Sequence, residues 1–241
     1  MTHALHSKLP LPSLAPLPEA GVAQVWLDFD GTVTRRDVLD DLISRYARDG
    51  SWKLIEERWQ AGLIGSRQCL AEEFALLDVA PGELWAFIDT IDLDPGAGAL
   101  LALLRQVNVP VTILSDGVDG FIARILARHG VRGIALRANA IRHHGRRLEL
   151  ACPHQSTTCE SGSAHCKCTS AAALRQPGSR TIYIGDGRSD LCPARKADVV
   201  FAKGVLAATL TREGRDFFPF ATLADVRDAL ARRWAVGGTR T

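Results

Sequence analysis

Two aspartates separated by one residue, in the segment Asp28-Phe29-Asp30-Gly31-Thr32, carry the most chemically informative pattern of the sequence. Asp28 lies near the end of the segment 24–29, whose apolar residues predict a short buried strand, and Asp30 directly follows that segment. Two carboxylates this close repel each other unless a cation joins them, and Mg²⁺ with its preference for oxygen ligands suits that position. Gly31 permits a tight turn that points backbone N–H groups at an anion. Standing alone, the motif would also fit a solvent-facing turn.

Three further polar groups favour a phosphate site over a simple turn. The segment 185–190 (GDGRSD) ends a later predicted strand and supplies more carboxylates for a metal. Ser115 precedes a predicted helix and offers its hydroxyl to phosphate oxygens, although Ser-Asp-Gly is also an ordinary helix cap. Lys167 begins a predicted helix, a position that usually favours acidic residues. An anion in a nearby crevice explains this lysine better than exposure at the surface does.

The order of the predicted elements indicates how these groups come together. From about 38 to 90, helical spacing without any strand-like run predicts a small all-helical insert. Strands and helices then alternate, which predicts an α/β fold with a doubly wound parallel sheet and helices on both faces. Ligands bind beyond the carboxyl ends of such strands, so the polar groups should meet in one crevice. We expect a core over 21–36 and 92–241, a helical cap over 37–91, and a flexible proline-rich tail over 1–20.

Composition and charge limit the classes of partner. With 46% hydrophobic and 23% charged residues, the 241-residue chain has the composition of a packed globular protein. Its 29 basic and 27 acidic residues give a net charge of +2, which gives no reason to expect a nucleic-acid partner. No apolar run is long enough to span a membrane, and the N-terminal segment lacks a secretory signal pattern. We therefore expect a cytoplasmic monomer or homodimer with mostly reduced cysteines.

Taken together, the four motifs resemble, in the same order, those of the haloacid dehalogenase superfamily of phosphatases. The helical insert resembles the small cap of the phosphoserine-phosphatase-like branch. The resemblance implies that Asp28 attacks phosphorus to form an aspartyl-phosphate, and that Asp30 first protonates the leaving oxygen and then activates water. It implies Mg²⁺ bound by Asp28, the backbone carbonyl of Asp30 and Asp186, with Asp190 positioning Lys167 or a metal-bound water. The residues that it implies for phosphate binding are Thr32, Ser115, Asp116, Gly117 and Lys167.

Four residues of the predicted cap are candidates for substrate recognition: Asp37, Arg58, Arg67 and Glu73. Asp37 lies where phosphoserine phosphatases carry an acidic group that meets the substrate amine, although aspartate is also a good helix N-cap. At the place of the arginine that binds the substrate carboxylate in those enzymes, this sequence has Glu73, which would repel a carboxylate. Phosphoserine is therefore disfavoured as the substrate.

A cysteine- and histidine-rich segment leads into Lys167. Similar loops occur in the methionine-salvage phosphatases that act on 2-hydroxy-3-keto-5-methylthiopentenyl-1-phosphate and in phosphoethanolamine/phosphocholine phosphatases, and the resemblance favours the first group. The segment could form a structural zinc site, pack free thiols under a loop, or form a disulfide such as Cys152–Cys159. The candidate zinc ligands are Cys152, His154, Cys159, His165, Cys166 and Cys168.

The sequence thus predicts a Mg²⁺-dependent phosphatase for a small metabolite, with methionine salvage as the favoured setting. A phosphoserine or phosphocholine/phosphoethanolamine phosphatase is one alternative. A catalytically weak protein that binds a phosphorylated metabolite or a partner protein is another, although the complete set of motif residues argues against it. The tryptophans are expected in the core: Trp26, Trp52, Trp59, Trp85 and Trp234.

Overall fold

A seven-stranded sheet forms the centre of the structure, a computed structural model that describes residues 15–234. Its order is β4-β3-β2-β1-β5-β6-β7, and of these neighbouring pairs β3–β4 alone is antiparallel. The predicted α/β fold with a mostly parallel sheet is confirmed. The strands are β1 (Ala23–Leu27), β2 (Val111–Val118), β3 (Ala135–His144), β4 (Arg147–Ala151), β5 (Arg180–Gly185), β6 (Val199–Ala202) and β7 (Phe218–Pro219).

Ten α-helices surround this sheet within residues 15–234. None of the helices in this range is both long enough and apolar enough to cross a bilayer. The all-helical insert that follows β1 contains α1 (Val38–Tyr46), α2 (Trp52–Gln60), α3 (Ser66–Leu76) and α4 (Pro81–Ile88). The other helices are α5 (Ala97–Gln106), α6 (Asp119–Arg128), α7 (Lys167–Leu174), α8 (Leu191–Lys196), α9 (Gly204–Arg212) and α10 (Leu223–Arg233).

The central strand β1 is buried on both faces of the sheet. Val25 and Leu27 belong to a hydrophobic cluster that includes residues of the insert and of α5, whereas Trp26 belongs to a second cluster. Parallel neighbours flank the strand, with Val25 opposite Val111 of β2 and Leu27 opposite Ile184 of β5. Because these three strands run in one direction, their carboxyl ends lie at the same edge of the sheet.

The insert joins the rest of the protein through two adjacent connecting segments. Thr34 and Leu93 form an antiparallel bridge, and the backbone N–H of Asp94 donates to the Val33 carbonyl at 2.8 Å. These contacts lie next to the boundaries expected for the cap, 37–91, which stay a prediction. Buried residues of α1 and α3 belong to the same hydrophobic cluster as β1. The insert and the sheet therefore share a core, which fixes the insert over the carboxyl edge of the strands.

The structure differs from the sequence pattern at several short elements. The pattern does not predict β4, β7, α8 or α9. The polar residues 143–147 lie at the tip of the hairpin formed by β3 and β4. Residues 1–14 of the predicted flexible tail lie outside the described residues. Nearer β1, the carbonyls of Leu17 and Pro18 accept hydrogen bonds from Arg233 at 2.8 Å and from the Trp234 indole at 2.7 Å. These bonds attach this end of the segment to the end of α10.

Candidate active site

A buried lysine lies between two buried aspartates at the carboxyl edge of the sheet. Lys167 Nζ donates to Asp28 Oδ1 at 2.5 Å and to Asp190 Oδ1 at 2.7 Å. None of the three side chains is more than 7% exposed, and ionic interactions are stronger away from bulk water. Burial acts to lower the pKa of Lys167, but the charges of Asp190 and Asp28 outweigh it and hold that pKa well above its usual value. The lysine is therefore a fixed cation beside Asp28.

Asp190 is held in place by hydrogen bonds from several directions. Its Oδ1 also accepts from the Tyr183 hydroxyl at 2.6 Å, and its Oδ2 accepts from the backbone N–H groups of Asp186 and Gly187, both at 2.9 Å. A Cβ atom at Gly185 would lie 2.5 Å from Asp190 Oδ2, so a side chain at position 185 would displace this carboxylate. The loop that follows β5 thus fixes the carboxylate that orients the lysine.

The carboxylate of Asp30 lies beside the hydroxyl of Ser115. Ser115 Oγ donates to Asp30 Oδ2 at 3.0 Å and accepts from the Gly117 N–H at 2.7 Å, while Asp30 Oδ1 accepts from the Val38 N–H at 3.3 Å. Burial, followed by the charge of Asp37, raises the pKa of Asp30 to about 8. A carboxyl group that keeps its proton near neutral pH suits a general acid. Because these donors engage the side chain, the metal ligand expected at this position is the backbone carbonyl.

Three carboxylates could hold a metal ion at the same edge. Asp28, Asp186 and Asp190 each place one oxygen within 4.8 Å of the others. Burial raises the pKa of Asp28 and of Asp186, and the charge of Asp190 adds to the shift in both. Such crowded oxygen atoms fit Mg²⁺, whose charge would offset their repulsion. The Thr32 hydroxyl donates to Asp186 Oδ1 at 2.6 Å, and a Cβ at Gly31, where φ is 70°, would lie 2.7 Å from Asp186 Oδ2.

The stability of the metal-free protein should fall as the pH rises from about 5 to about 8. The native pKa of Asp30, about 8, exceeds the ~3.9 of an unfolded aspartate, so the native state binds more protons between these values. The free energy of unfolding then decreases by ~1.4 kcal/mol per pH unit for each such carboxyl. Thermal unfolding in EDTA checks this, and Mg²⁺ should flatten the slope because it stabilises deprotonated carboxylates. A melting temperature in EDTA that stays constant over this range would contradict the prediction.

The four motifs fall within one family match. The model of the family described as haloacid dehalogenase-like hydrolase matches residues 25–195, which include Asp28, Ser115, Lys167 and Asp186. The chain belongs to this family. The predicted class of enzyme, a phosphoric monoester hydrolase of the haloacid dehalogenase type, is confirmed.

Relatives of similar length are 24–29% identical to this haloacid dehalogenase-like hydrolase over the aligned residues. The 2-hydroxy-3-keto-5-methylthiopentenyl-1-phosphate phosphatase of Geobacillus kaustophilus is 28% identical over 211 residues, covering 86% of this chain and 95% of the relative. A protein of the same name from an Exiguobacterium species is 29% identical over 202 residues, covering 83% of this chain and 93% of the relative.

Two solved structures show that the fold is shared. A hydrolase of the same family from Salmonella enterica serovar Typhi superimposes with a TM-score of 0.70 at 19% identity, covering 93% of this chain and 74% of the other. A phosphoserine phosphatase with an analogue of the phospho-aspartyl intermediate gives a TM-score of 0.64 at 20% identity, covering 87% of this chain and 97% of the other.

A cavity of about 120 Å³ connects the acidic edge of the sheet with the insert. Two of the four candidates for substrate recognition, Asp37 and Glu73, line this cavity. The other two are not among its described lining residues. Arg58 forms an ion pair with Glu72 at 2.8 Å, and Arg67 is exposed on the surface of α3. Trp59 also lines the cavity, so the expectation that it lies in the core is wrong because one side of α2 faces this space.

Asp116 connects the insert to the loop before the lysine. Its Oδ2 accepts from the Ser66 hydroxyl of α3 at 2.8 Å, and its Oδ1 accepts from the His165 N–H at 2.7 Å. Because both oxygens are engaged and a carboxylate repels phosphate, any contact of Asp116 with phosphate falls to its backbone. The sequence pattern gives no sign of Ser66, since a lone serine at the start of a helix is common.

The possible zinc site in the cysteine- and histidine-rich segment is not supported by the structure. Cys168 is bonded to Cys192, and the ring nitrogens of His165 contact the Ser115 carbonyl at 2.9 Å and Ser170 Oγ at 2.7 Å. Within residues 15–234, the six candidates do not bring their ligand atoms together. Four cysteines of this range are free thiols: Cys69, Cys152, Cys159 and Cys166. The alternative Cys152–Cys159 disulfide is therefore also absent from this range.

Removal of the Cys168–Cys192 disulfide should destabilise the oxidised protein. The bond joins positions 24 residues apart and connects α7 to α8. Closing a loop of this length restricts the unfolded chain, so Cys168→Ala/Cys192→Ala should lose ~3 kcal/mol of unfolding free energy. Urea unfolding without reductant measures the loss, and Cys159→Ala, which removes a free thiol, is the control. Equal stability of the double variant and the unmodified protein would contradict the prediction.

Proposed function

We propose that the protein hydrolyses a small phosphomonoester with Mg²⁺, by way of an aspartyl-phosphate (an acyl phosphate) formed on Asp28. The observation that carries the proposal is the buried contact of Lys167 with Asp28 and Asp190, beside Asp186 and at the base of a cavity. A nucleophilic carboxylate, a fixed cation and a set of oxygen ligands thus lie together. The cavity is smaller than the ~300–1,000 Å³ of pockets for drug-sized ligands, which favours a small metabolite.

Asp28 is the nucleophile in this mechanism. One of its carboxylate oxygens forms a bond to phosphorus while the bond from phosphorus to the alcohol oxygen breaks. Lys167, held by Asp190, offers its charge to the phosphoryl oxygens and stabilises the negative charge that builds on them. Ser115 Oγ and the Gly117 N–H lie next to Asp30 and supply neutral donors for the same group.

Asp30 moves the protons. Its raised pKa lets it give a proton to the leaving alcohol in the first step. The resulting carboxylate then takes a proton from the water that attacks the phosphorylated Asp28, which restores both side chains. Asp28, Asp186 and the carbonyl of Asp30 are the residues that would hold Mg²⁺. When bound, the ion supplies positive charge that offsets the phosphate and the carboxylates.

Two substrate candidates rest on different observations. The relatives from Geobacillus kaustophilus and Exiguobacterium are named for 2-hydroxy-3-keto-5-methylthiopentenyl-1-phosphate, and the match extends over nearly their whole length. This supports a place in methionine salvage. The second candidate class, phosphocholine and phosphoethanolamine, is favoured by acidic residues of the cavity such as Glu73. The same residue disfavours phosphoserine, whose carboxylate it would repel.

Hydrolysis of p-nitrophenyl phosphate tests the proposal without knowledge of the natural substrate. The protein should release p-nitrophenol in Mg²⁺. The release should stop in EDTA and resume when Mg²⁺ is restored, because the crowded carboxylates need the ion to accept a phosphate group. The same rate in EDTA as in Mg²⁺ would contradict the metal dependence. Binding of vanadate without turnover of any phosphomonoester would instead indicate the non-catalytic alternative.

A further inference from the structure

The wall of the cavity formed by the insert is acidic. Asp37 and Asp40 of the first cap turn, Glu56 of α2 and Glu73 of α3 all line it, opposite the edge that carries Asp28. The thiol of Cys69 lies between two of these groups, with Sγ 3.9 Å from Glu56 Oε2. Ligand atoms of Glu56, Cys69 and Glu73 lie within 4.8 Å of one another. Negative side chains so close together are unfavourable unless a cation lies among them.

Glu73 is the most informative of these residues because it is only 3% exposed. In the described part of the chain, its carboxylate forms no ion pair and accepts no hydrogen bond from an N–H or O–H group; its neighbour is the Cys69 thiol. Burial, followed by the charge of Glu56, raises the pKa of Glu73 to about 8. A buried carboxyl group normally has a strong partner, whereas Glu73 has only the weak Cys69 thiol and keeps its proton near neutral pH. A cation that enters the cavity would favour the charged carboxylate and supply the missing partner.

Basic side chains in the described part of the chain do not fill this role. Arg58, on the same helix as Glu56, is turned to Glu72. Arg188 is the basic residue among the described lining residues, but it is exposed and follows β5, on the side of the cavity opposite the insert. Among residues 15–234, none of the basic side chains neutralises the acidic wall, which leaves this role to a cation that enters the cavity.

The remaining lining favours an organic cation over a bare metal ion. Trp59, Leu39 and Leu70 line the same cavity and offer apolar and aromatic surface to carbon atoms next to a positive nitrogen. Burial also raises the pKa of the Cys69 thiol, and metal ions bind the thiolate rather than the thiol. Glu56, Cys69 and Glu73 would thus form a poor metal site.

We propose that the substrate is a phosphomonoester whose alcohol carries an ammonium group on a short carbon chain, and that Glu56 and Glu73 receive this group while the phosphate lies at Asp28. This proposal rests on the proposed phosphatase function and narrows its substrate class. It separates this chain from an enzyme for phosphoserine, whose carboxylate Glu73 repels, and from one for the uncharged methylthio chain, which leaves the acidic wall without a partner.

Matched pairs of esters test the charge of the substrate separately from its size. Phosphocholine and 3,3-dimethylbutyl phosphate have the same shape, since a carbon atom replaces the quaternary nitrogen. Phosphoethanolamine and propyl phosphate form a second pair. In at least one of the two pairs, kcat/KM in Mg²⁺ should be at least about tenfold higher for the ester with the ammonium group than for its neutral counterpart. The reason is that an ionic contact in a dry site strengthens binding of the charged ester. Equal values in both pairs would overturn the proposal.

Two variants show which residues cause the preference for the charged ester. Glu73→Gln and Glu56→Gln should each reduce the preference for the charged ester about tenfold, measured as the ratio of kcat/KM for the charged ester to kcat/KM for its neutral counterpart. Glu57→Gln, which removes an exposed carboxylate from the same helix as Glu56, should leave this ratio unchanged. A charge preference that persists in both cavity variants would overturn the assignment of these residues, and two variants guard against a folding defect in one.

The outcomes distinguish failure of this proposal from failure of the proposed function. If no ester is hydrolysed, including p-nitrophenyl phosphate, the phosphatase proposal itself fails. If the methylthiopentenyl phosphate or the neutral esters are hydrolysed faster than the charged ones, only the substrate class is wrong. Stoichiometric transition metal in the purified protein that is lost in Glu73→Gln would show a metal at the acidic wall and would also overturn the proposal.

Discussion

Replacement of Asp28 by asparagine should lower kcat for p-nitrophenyl phosphate by at least about 10⁴-fold, because an amide oxygen is a poor nucleophile toward phosphorus. The fold should persist. Burial and the charge of Asp190 raise the pKa of Asp28, so the neutral amide removes a repulsion while its oxygen can still accept from Lys167. The melting temperature in EDTA should therefore equal or exceed that of the unmodified protein.

The control for Asp28→Asn is Asp216→Asn, which changes an exposed aspartate in the same way and should leave both rate and stability unchanged. Activity of Asp28→Asn within about tenfold of the unmodified enzyme would exclude Asp28 as the nucleophile. Loss of activity together with a lower melting temperature would indicate a structural defect, and the rate would then not report on the mechanism.

Replacement of Lys167 by methionine should affect both activity and stability. Without the lysine charge, Asp28 and Asp190 remain buried near each other with no cation between them. Breaking a buried ion pair from one side costs about 3–5 kcal/mol, and loss of the charge next to the phosphoryl group should lower kcat by about 10³-fold. Urea unfolding in EDTA and steady-state kinetics in Mg²⁺ measure the two effects.

A second substitution separates these two effects of Lys167→Met. Adding Asp190→Asn removes one of the stranded charges and should restore part of the lost stability without restoring kcat. Lys196→Met, at an exposed position in α8, should leave both quantities unchanged. If Lys167→Met unfolds at the same urea concentration as the unmodified protein, the buried ion pairs do not contribute as the structure indicates.

The acidic edge of the sheet could be predicted from the sequence because its residues follow apolar strands. The change from apolar to polar residues at the end of a strand is visible in the sequence. Neighbouring parallel strands place their carboxyl ends at the same edge of the sheet, so these polar residues come together however the helices pack. Asp28, Ser115 and Asp186 therefore meet as expected. The glycines at 31 and 185 fit the same logic, since each lies where a Cβ would press on a neighbouring carboxylate.

The acidic wall of the cavity and the bonding of the cysteine segment could not be predicted from the sequence, because both depend on contacts between residues that are distant along the chain. Glu56 and Glu73 lie on different helices, and their common orientation follows from how α2 and α3 pack. Cys168 has its partner in α8, a six-residue helix too short for a periodic signal. The closely spaced cysteines left a zinc site, free thiols and a local disulfide open, whereas in the structure Cys168 is bonded to Cys192, which lies beyond the segment.

Trapping of the phosphorylated enzyme tests the central claim, nucleophilic attack by Asp28, most directly. The protein would be mixed with p-nitrophenyl phosphate and Mg²⁺, quenched with acid, and treated with borohydride, which reduces an aspartyl-phosphate to homoserine. Peptide mass spectrometry then locates the reduced residue. We predict homoserine at position 28, dependent on both substrate and Mg²⁺. Reduction at another aspartate, or turnover without any reducible residue, would contradict the mechanism.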